Sequence, residues 1–267
     1  MIRVRVLAGI AVAVGALVPF DGSPKADAFL SSDGRLLKWR SQSRGMGTVV
    51  SYAVLTDAFR VPQGKRTLSP DNCGAMQPFA DIVKESPDVS VEEAKHELKA
   101  AFAAWEEIAD LTFVEIEDVS RANIVVGAAH SPLGRAFANL SVRSVETPLP
   151  VSRALGKADS DTQGTSSEAV DREESGFAAI EQAYVCLSQR SRWKVGFDGN
   201  LDIYDLRYTF THEVGHAIGL DHPGKSGSLM AYRYEERFQQ LTPSDASAVQ
   251  KLYGSRPSTP KSFTSNR

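Results

Sequence analysis

Eleven residues near the end of the chain, HEVGHAIGLDH from His212 to His222, gather the side chains best able to do chemistry. His212 and His216 are four apart, so on a helix they leave from one face, one turn above the other. Two imidazole nitrogens so placed can share a tetrahedral metal at about 2.0–2.1 Å each. Glu213 follows the first imidazole and points round the helix toward the open side of such a metal. Gly219 can take the left-handed conformation that ends a helix, so the chain can turn back and bring in His222 as a third ligand. Three protein ligands and a free fourth position for water describe a hydrolytic zinc centre rather than a closed structural one. HExxH alone arises on helices by accident. The extended pattern fixes five positions, and three of the chain's five His fall inside it.

The elements that must hold this motif are legible around it. A helix should begin near Asp205 and stop at Gly219. Ser90 opens SVEEAKHELKAAFAAWEEIAD, with Glu93 completing a Ser-x-x-Glu capping box. Val91, Ala94, Leu98, Ala101, Trp105 and Ile108 then form one apolar stripe along a long helix. Thr242-Pro243-Ser244-Asp245 reads as an N-cap with Pro at the first helical position, and Gly254 closes that helix. Leu111 to Glu117, Ala122 to Val126, Ala183 to Leu187 and Trp193 to Phe197 alternate or run apolar, as strands do. This order predicts an α+β fold, a twisted sheet backed by two long helices above a cleft, with a smaller C-terminal part after the third His.

Composition and the chain ends narrow the setting. Arg3 and Arg5 precede the apolar run VLAGIAVAVGALVPF, and Ala26-Asp27-Ala28 offers a small-x-small cleavage site. Residues 1–28 therefore read as a secretory signal peptide. An uncleaved anchor is the alternative, although the run is shorter than the ~20 residues a span needs. About 240 residues remain, enough for one domain with its own core. They divide into an N-terminal segment at 29–46, one main domain at 47–255, whose bounds follow from the family resemblance given below, and a polar tail at 256–267; the acidic stretch at 157–175 reads as a mobile surface loop, with a binding lid as the alternative. A net charge of −3 without basic clusters argues against nucleic acid or an anionic membrane as partner. Cys73 and Cys186, in an exported chain, are expected to form a disulfide, with two free thiols as the alternative.

The extended motif and the residues after it resemble the metzincin zinc proteases, and matrixins in particular. Ser228-Leu229-Met230-Ala231-Tyr232 supplies a Met-containing turn, with Met230 eight residues after His222, which is the matrixin spacing. LTPSDASAVQKLYG, Leu241 to Gly254, is similar to the matrixin closing helix, and TVVSYAVLTDAF, Thr48 to Phe59, to its first strand. The resemblance covers about 47–255 and is strongest from 208 to 254. It implies a secreted, monomeric zinc endopeptidase that takes a polypeptide extended along an edge strand. His212, His216 and His222 would hold one zinc. Glu213 would take a proton from the attacking water and pass it to the leaving amine. Met230 would form an apolar floor beneath the imidazoles. Ile180 to Val185 is the expected edge, with Gly134 to Leu140 as the competing choice.

Departures from the family pattern leave alternatives open. Matrixins carry Pro where this chain has Tyr232; astacins and serralysins carry Tyr there. Tyr232 would either donate its phenol to the developing oxyanion or line the specificity pocket beside Tyr234. Gly196-Phe197-Asp198-Gly199-Asn200 resembles a calcium-binding turn of the family, so a calcium ion is a candidate near Asp198 or Asp202. A second, structural zinc would need more His than remain, since His96 falls on the polar side of the first helix and His130 stands alone in a loop. Pro70-Asp71-Asn72-Cys73-Gly74 faintly resembles the matrixin Pro-Arg-Cys-Gly segment, which would make Cys73 a latency switch, but Cys73 lies after the first strand. Two other functions use the same residues. A zinc hydrolase of a non-peptide amide, such as a cell-wall crosslink, needs the same triad and water. An inactive exported binding module would normally lose the Glu, and Glu213 is present.

Overall fold

The computed structural model describes residues 29–41, 47–62, 72–142, 176–224 and 227–257. Residues 1–28, read above as a leader, the acidic stretch at 157–175 and the tail beyond 257 lie outside the described residues. The centre of the fold is a twisted sheet whose inner strands are parallel. Strand β3 (Thr48–Val54) lies between β6 (Leu111–Glu115) and β7 (Ile124–Ala129), and β7 lies between β3 and β9 (Phe177–Ser188). Parallel neighbours need a crossover, and helix α1 (Val91–Ile108) supplies the one from β3 to β6. Every residue of β7 is buried, which explains its unbroken apolar run, IVVGAA, in place of alternation.

Two faces of this sheet are covered differently. On one face lie α1 and α2 (Leu206–Ala217), joined by Leu98, Trp105, Phe210 and Val214 packing on Ile124, Val126 and Val185. The expected stripe of α1 is there, and Ser90 and Glu93 form the expected capping box. Glu97 is also buried, because both its oxygens accept from Arg207 of α2, at 2.5 and 3.0 Å. Trp105 Nε1 donates to Thr211 O at 2.9 Å, which fixes the height of α2 against α1. On the other face, the excursion through β4 (Phe59–Arg60) and β5 (Ala75–Gln77) covers Val125, Tyr184 and Cys186. A disulfide joins Cys73 to Cys186 there, across a separation of 113 residues with Cα atoms 5.6 Å apart.

Two expectations need correction. Ile180 to Val185 is not an edge, because from Ala183 to Leu187 strand β9 is flanked by β7 on one side and by β8 (Ala136–Val142) on the other. Strand β8 is antiparallel to β9 and has no other strand partner among the described residues, so the edge falls at the competing choice. The strand expected over Trp193 to Phe197 shrinks to β10 (Trp193–Lys194), paired in parallel with β11 (Tyr204–Asp205). Ahead of residue 47, β1 (Ser31–Ser32) and β2 (Arg35–Lys38) form a hairpin whose second strand runs parallel to the start of β9. Helix α3 (Pro243–Tyr253) closes the fold, capped by Thr242 and Asp245.

Candidate metal centre and cleft

Helix α2 begins where Asp205 accepts the Tyr208 N–H and runs through both helical His. It stops at Gly219, whose φ of 98° only glycine adopts freely. A Cβ at Gly219 would also run into the backbone oxygen of Leu37. The orphan carbonyls of the helix end are met by side chains from both chain ends: Trp39 Nε1 donates to Ala217 O at 3.0 Å, and Tyr253 Oη to Ile218 O at 2.8 Å. The backbone of Leu30 adds a bond to Gly219 O at 2.9 Å. The turn that swings His222 back toward the helix is thus held from three elements.

That turn brings the three imidazoles together. The Nε2 atoms of His212, His216 and His222 form a triangle with sides of 3.1, 3.1 and 3.2 Å. Three nitrogens about 2.0–2.1 Å from one tetrahedral ion would stand about 3.3–3.4 Å apart, so the triangle is close to the size zinc requires. The far nitrogens fix the tautomers. His212 Nδ1 lies 3.0 Å from Leu229 O and His216 Nδ1 lies 2.8 Å from Leu220 O. A carbonyl oxygen can only accept, so each Nδ1 carries the proton and each Nε2 presents a bare lone pair. Burial lowers the pKa of His212 to about 4 and that of His216 well below its ordinary value, and lowers His222 as well. Neutral rings with converging lone pairs repel one another unless a cation lies between them, and neutral imidazole is the form that binds metal. Among the described residues these three are the one group of His, Cys, Asp or Glu placed to hold a metal ion.

Glu213 lines the same cleft, 6% exposed, with Oε2 buried and without a hydrogen-bond partner. Burial raises its pKa to about 8. Met230 is buried against α2: Gly215 lies between the two helical His, and a Cβ there would overlap Met230 Sδ and come within 2.9 Å of Trp105 Cζ2. The turn carrying Met230 is fastened by Asp245, which accepts from Leu229 N at 3.0 Å, from Met230 N at 3.3 Å and from the Ser228 hydroxyl. The same carboxylate caps α3 through Thr242 N at 2.8 Å. One buried acid therefore connects a helix start to Leu229 O and so to the His212 ring. The Thr-Pro-Ser-Asp pattern marks Asp245 as a capping residue, but its hold on the Met230 turn cannot be read from local sequence.

The cleft, about 560 Å³, runs between the start of β8 and the segment Ala231–Tyr234, with the triad on its floor. Tyr232 is 88% exposed, and its ring stands edge-on to His222 with centroids 5.3 Å apart. Tyr234 is buried and fully engaged: its hydroxyl accepts from Asp205 N at 3.0 Å and donates to Glu236 at 2.9 Å. In the acidic turn read as a calcium candidate, Asp198 has a cationic partner within the chain. Lys194 Nζ donates to Asn200 O at 2.8 Å, pairs with Glu236 at 2.5 Å and contacts Asp198. His96 is exposed on α1, and His130 Nδ1 meets only Gln189, 2.9 Å away.

Known proteins match this arrangement. Residues 79–254 fit the family model described as Matrixin. The chain is similar to metalloendoproteinase 1-MMP of Arabidopsis thaliana, with 26% identity over 171 residues, 62% of this chain and 39% of that protein. It is similar to matrix metalloproteinase-19 of Homo sapiens, with 31% identity over 165 residues, 61% of this chain and 26% of that protein. A shorter match, 41% identical over 75 residues and 27% of each chain, is to matrix metalloproteinase-26 of Homo sapiens. The chain thus spans well under half the length of these relatives. With the family pattern running through most of the described fold and through every residue of the triad, the chain belongs to the matrixin family.

Proposed function

We propose that this chain is an exported zinc endopeptidase that cuts polypeptides bound along β8. The observation that carries the reading is the triangle of Nε2 atoms, bare of protons at His212 and His216, with the partnerless carboxylate oxygen of Glu213 in the same cleft. His212, His216 and His222 would hold the metal, and zinc held there supplies Lewis acidity for attack on a carbonyl. Glu213 accepts a proton from the attacking water at Oε2 and returns it to the leaving amine, a role worth roughly 10²–10⁴ in rate. The unpaired side of β8 offers main-chain donors and acceptors to an extended peptide, and so fixes its direction across the cleft. Tyr232, exposed beside His222, donates its phenol to the carbonyl oxygen as charge develops there. The Cys73–Cys186 disulfide supports export to an oxidising compartment.

Digestion of casein and of a random peptide library, with zinc, with a chelator and with zinc restored, tests this reading. Cleavage should follow the metal. Glu213→Ala should keep the metal and the fold while losing at least a hundred-fold in rate, because the carboxylate moves protons and is not a ligand. A Glu213→Ala protein within a few-fold of wild type would remove the assigned base, and inert peptides beside a cleaved cell-wall amide would move the function to the alternative hydrolase.

A further inference from the structure

One charge in the cleft takes part neither in the triad nor in an ion pair among the described residues. Arg135 leads into β8 and lines the cleft together with Tyr204, Tyr208 and Tyr234. Its guanidinium lies over the Tyr204 ring, 4.5 Å from the centroid, and Tyr204 in turn stacks on Tyr234 at 4.2 Å. No carboxylate of the described residues pairs with it. The neighbouring charges are engaged elsewhere: Glu236 with Lys194 at 2.5 Å, and Glu235 with Arg237 at 2.6 Å. Asp221, the one other acid besides Glu213 in the cleft lining, accepts the backbone N–H of His222 at 2.7 Å.

A guanidinium stacked on an aromatic ring is held in one orientation, and its N–H fork keeps the geometry that fits a carboxylate on two points. Partial burial strengthens that interaction relative to open water. The cleft that Arg135 and Glu213 both line is walled mostly by aromatic and aliphatic side chains, suited to a short apolar stem. We propose that Arg135 sets specificity: the recess beside Glu213 selects a substrate side chain that carries a carboxylate on such a stem, Glu ahead of its neutral isostere Gln. This inference rests on the peptidase reading above.

The test uses the zinc-loaded full chain and peptides differing only in Glu, Gln or Leu at each position flanking the cut, with cleavage sites read by mass spectrometry. At one position kcat/KM for Glu should exceed that for Gln about ten-fold at low salt, mainly through KM. The ratio should shrink as salt is added, as expected for a partly exposed ion pair. Arg135→Gln should bring the Glu:Gln ratio to about one, and Arg135→Lys should restore part of it. Because the ratio is internal to each variant, a smaller folded fraction does not change it. A wild-type ratio of one at every position, or a ratio unmoved in Arg135→Gln, overturns this inference and leaves the peptidase standing. Absence of cleavage of any peptide overturns both.

Discussion

The histidine triad and the Lys194 cluster both gather donor atoms near the cleft, and they differ in where the positive charge comes from. At the triad three nitrogens converge within 3.2 Å, the tautomers of His212 and His216 fixed by Leu229 O and Leu220 O, with no cationic side chain of the described residues between them. At the cluster, oxygens of Asp198, Asn200 and Glu236 converge on the ammonium of Lys194. Burial pulls that ammonium toward neutrality, but bonds to the two carboxylates more than offset the effect and its pKa is raised. Convergent ligand atoms therefore identify a metal site only where the chain does not bring its own cation.

Metal content offers the harshest test of this contrast. The purified protein should hold one zinc per chain by elemental analysis, and His212→Ala, His216→Ala or His222→Ala should each lose it together with all hydrolysis. Two ligands leave an incomplete shell, and zinc affinity of a closed set is worth many powers of ten. A second tightly held ion at Asp198, Asn200 and Glu236 would break the distinction between the two clusters.

How much of the molecule is readable in its sequence depends on how local each cause is. The triad, Glu213 and α2 lie within one helix and one glycine turn, where a spacing of four fixes geometry, and the capping boxes at Ser90 and Thr242 are likewise contained in four residues. The Met230 turn is legible through family spacing. The edge strand is less so: the unbroken apolar run Ala183 to Leu187 suits an interior strand, as in β7, but which strand lies outside β9 depends on pairing between residues 136–142 and 180–187. Arg135 against Tyr204, and Asp245 against Leu229, are likewise juxtapositions made by the sheet and the last helix. Lys194 escapes notice for a different reason: it precedes the acidic turn by four residues, so the turn's own composition gives no sign of an internal cation. The hairpin at residues 31–38 has strands too short to show a period.

The same contrast of free and engaged groups separates two tyrosines. The Tyr234 hydroxyl is used as both donor and acceptor, whereas Tyr232 stands exposed beside His222. Tyr232→Phe should lower kcat by about 10²–10³ with little change in KM, as loss of one oxyanion donor does. Its ring packing survives, so the hydroxyl alone is probed. A loss confined to KM, or one that varies with the substrate side chain, would make Tyr232 a pocket wall.

The smallest expected effect tests whether the Lys194 ammonium holds the place of a metal ion. Its side chain is 13% exposed and that of Glu236 is 9% exposed, so removing the ammonium leaves a carboxylate with little water around it. Glu236 would keep the Tyr234 hydroxyl and the Gly199 N–H, which limits the damage. Lys194→Ala should therefore cost on the order of 1 kcal/mol in stability by chemical denaturation of the zinc-saturated protein. The vacated space would be bounded by Asp198, Asn200 and Glu236, too few protein oxygens for tight calcium binding but enough for a weak site completed by water. Millimolar calcium should recover part of the loss in Lys194→Ala and leave the wild-type Tm unmoved. Lys194→Ala, Glu236→Gln together should lose less than the first change alone, since the one carboxylate then left without its cation, Asp198, is 62% exposed and solvated. A wild-type Tm that climbs with calcium would mean that Lys194 only shares this turn with a metal ion, and the two clusters would then differ in degree rather than in kind.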